Sequence, residues 1–172
     1  MMNMIGCLIG DLIIMFIEVP DRDIAMRLVV ESSEYIHNLR NDWAEKTAEI
    51  IKEDVEFINH VYTHPTEFQI RSIADKAFII YGPKPEKNCL YIYELYVSPE
   101  CRGKHYGKAL LEHVIKYYKK FYENQHNLPY LKLSVGKNNY NAINFYKLNK
   151  FTIDETLDNI SYDMVYTGKV SF

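Results

Sequence analysis

Arg102, Lys104 and Lys108 surround two glycines, Gly103 and Gly107, directly after the β-rich stretch Tyr91 to Val97 and a Ser98-Pro99 break. A strand that delivers its end to a helix start lined with backbone N–H groups is a cradle for phosphate. Three cations at the positive end of a helix dipole are unfavourable by themselves, and become sensible when a polyanion occupies the turn. The plainer alternative is a solvated basic turn with no ligand. A nucleotide P-loop does not fit: that loop has a wider spacing between its glycines, and Ala109 stands where a Mg²⁺-binding Ser or Thr follows the Lys. The dinucleotide fingerprint of three spaced glycines is absent.

Other residue combinations carry weaker chemistry. Cys101 near His105 suggests a thiol nucleophile, but no third group to orient the pair is evident. Glu56, His60 and His64 recur at i,i+4 and are of metal-ligating type, yet histidines near a helix end are common surface residues. The aromatic run Tyr117, Tyr118, Phe121 and Tyr122 falls largely on the apolar stripe of a helix, which explains it better than base stacking does. No metal is expected.

Length and composition bound the rest. A chain of 172 residues, 48% hydrophobic and 25% charged, supports one well-buried core, and a single domain over 1–172 is expected. The formal net charge of −3 argues against broad nucleic-acid binding, which needs a basic surface to displace counterions. Three cysteines, Cys7, Cys89 and Cys101, have no CxxC spacing and fit a reducing compartment, so the cytoplasm is the expected location. The apolar segment Met4 to Val19 lacks a basic leader and is interrupted by Asp11, so it reads as β structure rather than an export signal or membrane span. Gly10-Asp11 would turn Ile5–Ile9 into Leu12–Glu18, with 1–14 an extra strand or extension.

These residues need elements to position them. Pro20-Asp21 starts a helical pattern in which Ala25, Leu28, Val29, Ser32, Ile36 and Leu39 share one side. Asn41-Asp42 would cap a second helix carrying Trp43, Thr47, Ile50, Ile51, Ile58 and Val61 on one face, limited by Pro65. Phe68–Ile73 and Lys76–Tyr81 read as strands around Ala74-Asp75, and Gly82-Pro83-Lys84-Pro85 as a loop. Strand Cys89–Val97 follows, then a helix with Ala109, Leu110, Val114, Tyr117, Tyr118 and Phe121 as its stripe and Glu112–Lys116 as a solvent-side pair. Leu128-Pro129 ends that unit. Strand Leu131–Val135, helix Asn139–Lys147 and a hairpin of Phe151–Thr156 with Ile160–Tyr166 complete an α/β order.

Two local signatures, set in this element order, resemble the GCN5-related N-acetyltransferase (GNAT) family over roughly Phe16 to Tyr166. The first is Arg or Gln, two residues, Gly, one residue, then Gly or Ala, here Arg102-Gly103-Lys104-His105-Tyr106-Gly107, with His105 in place of the first required Gly. His is enriched among non-Gly residues at positive φ, so the turn survives at a cost of about 1–2 kcal/mol. The second is Asn139, Ala142, Phe145 and Tyr146, followed by Phe151, with Lys150 replacing the family's Gly.

The resemblance implies a mixed, mostly antiparallel central sheet flanked by helices and splayed between the fourth and fifth strands, those ending in Val97 and Val135. It implies acetyl-CoA as cosubstrate, with the backbone of Leu95, Tyr96 and Val97 along the pantetheine arm. Amides of Arg102, Gly103, Lys104, His105, Tyr106, Gly107 and Lys108 would hold the pyrophosphate. Tyr146 would protonate the departing thiolate, and Asn139 would either contact the pantetheine arm or cap its helix. Glu94, just before the thioester position, is the candidate base, with a cleft-rim carboxylate as its plainer reading.

The expected function is acetyl transfer to a primary amine, preferably a small molecule, by direct attack in a ternary complex. Glu31, Glu34, Glu45 and Glu49 mildly favour a cationic acceptor. A protein N-terminus or lysine as acceptor, and a non-catalytic module that binds CoA or a partner, are the rivals. Neither nucleic acid nor membrane is an expected partner; a homodimer stays open.

Overall fold

The structure is a computed structural model and describes residues 5–7, 15–38, 47–121, 129–156 and 160–168. Among the described residues eight strands form one sheet: β1 (Ile5–Cys7), β2 (Met15–Glu18), β3 (Gln69–Ile73), β4 (Ala77–Lys84), β5 (Cys89–Val97), β6 (Tyr130–Gly136), β7 (Phe151–Thr156) and β8 (Ser161–Tyr166), in the order β1-β2-β3-β4-β5-β6-β8-β7. The helices are α1 (Arg22–Asn38), α2 (Thr47–Thr63), α3 (Tyr106–Phe121) and α4 (Tyr140–Leu148). The pairs β1–β2, β2–β3, β6–β8 and β7–β8 are antiparallel, and β5–β6 is parallel. This is the mixed sheet with flanking helices that the sequence implied, and its parallel pair is the one expected as the fourth and fifth strands.

The chain divides into two compact units, one holding the chain up to Ile80 together with Glu94–His113, the other Tyr81–Tyr93 and the chain from Val114 onward. In the first unit, Ala25, Leu28 and Val29 of α1 and Ile58 and Val61 of α2 are buried, as their helical spacing required. The two helices pack on each other. The run Ala77–Ile80 is buried at every position, which marks a strand covered on both faces. Phe78 meets Tyr96 of β5 with ring centroids 6.2 Å apart.

In the second unit β6 alternates, with Leu131, Leu133 and Val135 buried and the residues between them more open. Its core adds Val114 and Tyr118 of α3, Ile143 of α4, Phe151 and Met164. The parallel register runs from Cys89↔Tyr130 to Ile92↔Leu133, whereas β6 keeps its β8 partners through Gly136.

Several boundaries differ from the sequence reading for local reasons. The expected loop at Gly82–Pro85 is shifted: β4 continues through Pro83 to Lys84, and the reversal falls on a 3-10 turn at Pro85–Lys87. Pro83 lacks an N–H but keeps its carbonyl, which accepts from the Tyr93 hydroxyl at 3.3 Å. Asn88 closes the turn in the left-handed region, at φ 51°. Glu112 pairs with Lys108, at 3.9 Å. The Gly10-Asp11 turn, Leu39, the Asn41-Asp42 cap, Trp43, Glu45, Tyr122 and Leu128 lie outside the described residues.

Candidate active site

In the first unit one continuous piece of chain carries most of the candidate residues: the end of β5 with Glu94, Leu95, Tyr96 and Val97, the turn Arg102–His105, and the first turn of α3. Pro99–Cys101 forms a 3-10 turn between strand and bend. The Ser98 amide donates to Lys76 O at 2.8 Å, which fixes where the strand ends. Gly103 has φ 77° and His105 φ 64°, so His105 takes up the left-handed conformation that a glycine would adopt there.

The bend is open. Arg102, Gly103, Lys104 and His105 are exposed, and a Cβ placed on Gly103 would meet nothing within 4 Å. Ala109 donates the first α-type hydrogen bond, to His105 O at 3.0 Å. The amides of Tyr106, Gly107 and Lys108 precede it and therefore have no acceptor inside the helix. The first turn of α3 contains no acidic side chain. The open space at Gly103, helix-start amides without an intrahelical acceptor and a first turn free of acidic side chains are features that fit a pyrophosphate.

The three cations differ. The Arg102 guanidinium lies 3.9 Å from the centroid of the Tyr35 ring, and its Nε donates to Val97 O at 3.1 Å. Stacking on an aromatic face lowers the cost of a cation near the helix start without any anion. Lys108 is partnered by Glu112, and Lys104 projects from the exposed bend. The unfavourable charge read from sequence is thus partly relieved within the protein, and Arg102 braces the bend against α1.

Glu94 is partly exposed as a residue, but its carboxyl group is desolvated. Burial pushes its pKa up from 4.5 to about 8, against a hydrogen bond from Ser32 that favours the carboxylate and with a further push from the negative charge of Asp54. Ser33 Oγ donates to Asp54 Oδ2, joining α1 to α2 beside it. Ser98 Oγ reaches Glu31 Oε2 at 3.4 Å. Ser33, Asp54 and Tyr35 were not singled out from sequence, and Ser32 was read only as part of the α1 stripe. A serine on an otherwise apolar stripe is itself a signal, because a buried hydroxyl demands a partner.

The remaining candidates lie in the second unit, on α4. Asn139 is the N-cap: its Oδ1 accepts from the Ala142 amide at 3.2 Å. Tyr146 is 8% exposed, with ring centroids 5.3 Å from Phe145 and 5.7 Å from Phe151. Lys150 holds φ 68° just past the helix end, as the glycine it replaces would. Phe151 then enters the core at 1% exposure.

Other combinations do not assemble. Cys101 is buried while His105 is exposed. His60 and His64 stack at 3.9 Å between centroids, His64 Nδ1 contacts Thr63 Oγ1 and His60 O, and Glu56 pairs with Lys52. Among the described residues no group of three His, Cys, Asp or Glu side chains is placed to hold a metal ion, and no helix is long and apolar enough to cross a membrane.

Comparison with solved structures gives matches across nearly the whole chain. A PaiA N-acetyltransferase from Thermoplasma acidophilum, solved in complex with coenzyme A, is 22% identical with a TM-score of 0.71, covering 90% of this chain and 99% of that one. An acetyltransferase from Thermus thermophilus is 13% identical with a TM-score of 0.61, covering 84% and 89%. A spermidine N-acetyltransferase chimera from Vibrio cholerae and hSSAT is 18% identical with a TM-score of 0.54, covering 88% and 94%. At these identities the likeness is one of fold. The sequence model of the acetyltransferase (GNAT) family matches residues 34–151, a span that takes in Glu94, the Arg102–Lys108 bend, Asn139 and Tyr146, and the chain therefore belongs to the acetyltransferase (GNAT) family.

Proposed function

We propose that this protein transfers an acetyl group from acetyl-CoA to the primary amine of a small cationic molecule, by direct attack within a ternary complex. The observation that carries the reading is the desolvated carboxyl of Glu94, one residue ahead of the Leu95–Val97 backbone and upstream of an open, donor-lined bend. The parallel register with β6 takes in Cys89–Ile92, and β5 continues to Val97, which supports main-chain pairing of Leu95, Tyr96 and Val97 with the pantetheine arm. The bend from Arg102 to Lys108 would bind the pyrophosphate through its amides. The Thermoplasma acidophilum protein's coenzyme A complex supports the choice of cosubstrate.

The residues divide the chemistry. An alkylammonium has a pKa of about 10.4, so releasing its lone pair near neutrality costs about 4 kcal/mol. Glu94 takes that proton directly or through a water, and its raised pKa suits an acceptor working close to neutral pH. The amine nitrogen then bonds to the thioester carbonyl carbon, and the Val97 N–H donates to the developing oxyanion, a contribution of about 3–4 kcal/mol. As the carbon–sulfur bond breaks, Tyr146 gives a proton to the leaving thiolate, while the nitrogen sheds its second proton to solvent to become a neutral amide and the Tyr146 phenolate regains a proton from solvent. Asn139 holds the start of α4, and thereby the placement of Tyr146.

His105 and Lys150 in place of glycines do not favour a non-catalytic module, since both adopt the positive φ that the glycines would supply. Calorimetric titration with acetyl-CoA and CoA should give saturable binding, and a thiol-release screen of polyamines, aminoglycosides, amino acids and short peptides should single out a small cationic amine. Folded protein that binds neither cosubstrate would remove the enzyme reading. Turnover confined to peptides would transfer the acceptor to the protein class.

A further inference from the structure

The bend from Arg102 to His105 is not a shape that the chain favours by itself. Gly103 at φ 77° and His105 at φ 64° both lie in the left-handed region, which for His105 costs about 1–2 kcal/mol. The chain is anchored on either side, by Cys101 buried before the bend and by Ala109 and Leu110 buried after it. Between these anchors all four residues are exposed, and the Lys104 amide reaches Cys101 O only at 3.4 Å. Such a bend needs a hold from outside its own backbone.

One face of α1 supplies it. Arg27, Glu31 and Tyr35 are spaced four apart and so follow one another along the same side of the helix. Arg27 donates to Asp75 O and Oδ2 in the β3–β4 turn, both at 3.3 Å, and Glu31 accepts from Ser98 Oγ at the end of β5 at 3.4 Å. The Tyr35 ring centroid lies 3.9 Å from the Arg102 guanidinium carbon. Turn, strand end and bend are thus registered in sequence against one helix. Arg102 is engaged twice: its plane on the Tyr35 ring, and its Nε on Val97 O at 3.1 Å, while the amide of that same peptide unit, Ser98 N–H, donates to Lys76 O at 2.8 Å. A planar guanidinium can stack and donate from its edge at once, which an ammonium, as a point charge, cannot.

We propose that Tyr35 is a positioning residue for the cosubstrate: its ring holds Arg102, and Arg102 holds the bend in the form that receives a pyrophosphate, so that the guanidinium acts by placement and not as the counter-charge of the phosphate. The inference deepens the proposed function and rests on the bend as the acetyl-CoA site. Without the ring, Arg102 keeps its charge but loses the surface that fixes it, and the exposed bend samples other conformations. Binding then has to pay for ordering it, which weakens affinity without removing any group that touches the ligand. A charge acting on the phosphate would survive replacement by lysine; a stacked, edge-donating plane would not.

The test is calorimetric titration of the full chain with acetyl-CoA, using Tyr35→Leu, Tyr35→Phe, Arg102→Lys, Arg102→Ala and the Tyr35→Leu/Arg102→Lys double variant, with steady-state kinetics alongside. Tyr35→Leu should weaken binding by about 5-fold, and Tyr35→Phe, which keeps the aromatic face, should stay within about twofold of wild type. Arg102→Lys should lose as much as Arg102→Ala, and the double variant should be no weaker than Arg102→Lys alone, because both changes break the same hold. Tyr35→Leu should also raise KM for acetyl-CoA more than it lowers kcat. Wild-type affinity in Arg102→Lys, or affinity that is unchanged or tighter in Tyr35→Leu, would show the guanidinium acting through its charge and overturn the proposal. If Tyr35→Leu does not fold, Arg102→Lys decides alone: a loss equal to that of Arg102→Ala supports the positioning role, and retained affinity overturns it. A folded wild type that binds no acetyl-CoA is a different result, which removes the proposed function and the role of Tyr35 with it.

Discussion

Glu94→Gln should stabilise the folded protein, and increasingly so as the pH rises. In the unfolded chain this carboxyl ionises near its ordinary value of 4.5, whereas in the folded state burial holds it at about 8. Below the lower value both states carry the proton and its titration contributes no difference. Between the two values the unfolded chain gives up its proton while the folded chain keeps it, so wild-type stability falls with rising pH. Above about 8 both states are ionised, and the full penalty for a charge in a desolvated site is present. Each pH unit in that window costs about 1.4 kcal/mol, which sets a ceiling of about 5 kcal/mol across it. Gln has nearly the same shape and still accepts from Ser32, so the variant loses the titration and little else. Urea unfolding of both proteins from about pH 5 to about pH 9 isolates the effect, because every other titrating group cancels in the difference. The gap between variant and wild type should widen towards alkaline pH. A gap that is constant with pH would refute the desolvation argument and with it the physical case for Glu94 as a neutral-pH base.

The other expectations are simpler to state. Tyr146→Phe should lower kcat by about 10²-fold or more while leaving the calorimetric affinity for CoA largely intact, and unchanged turnover would reject its acid role. Lys150→Gly should stabilise the protein by about 0.5–1 kcal/mol in urea unfolding, since relief of the left-handed strain at φ 68° outweighs the added backbone entropy. Destabilisation by that change would show that the Lys150 side chain contributes more than its backbone conformation costs.

Where the sequence reading succeeded, the signals were short-range. The helix start at Asn139, the bend around Gly103 and the stripes of α1 and α3 each depend on residues within a turn or two of one another, so their spacing is visible in the chain. The family signatures tolerated His105 and Lys150 because what the turn demands is a positive φ, which either residue can adopt at a modest cost. The β4–β5 reversal was misplaced because Gly82-Pro83 is ordinarily a turn signal. Here a strand continues through it, Pro83 offering only its carbonyl.

The amino-acid sequence by itself determined the strand, bend and helix that carry Leu95 to Lys108, and the capped helix that carries Tyr146, because local backbone preference and hydrophobic period act over a few residues. Only the tertiary structure decided what Glu94 is. Its proton affinity depends on burial and on Ser32 and Asp54, which come from helices far away in the chain, and the Arg102 charge is spent on Tyr35 for the same reason. Desolvation and Coulomb interaction depend on distance in space, and no spacing along the chain encodes that distance until the helices have packed.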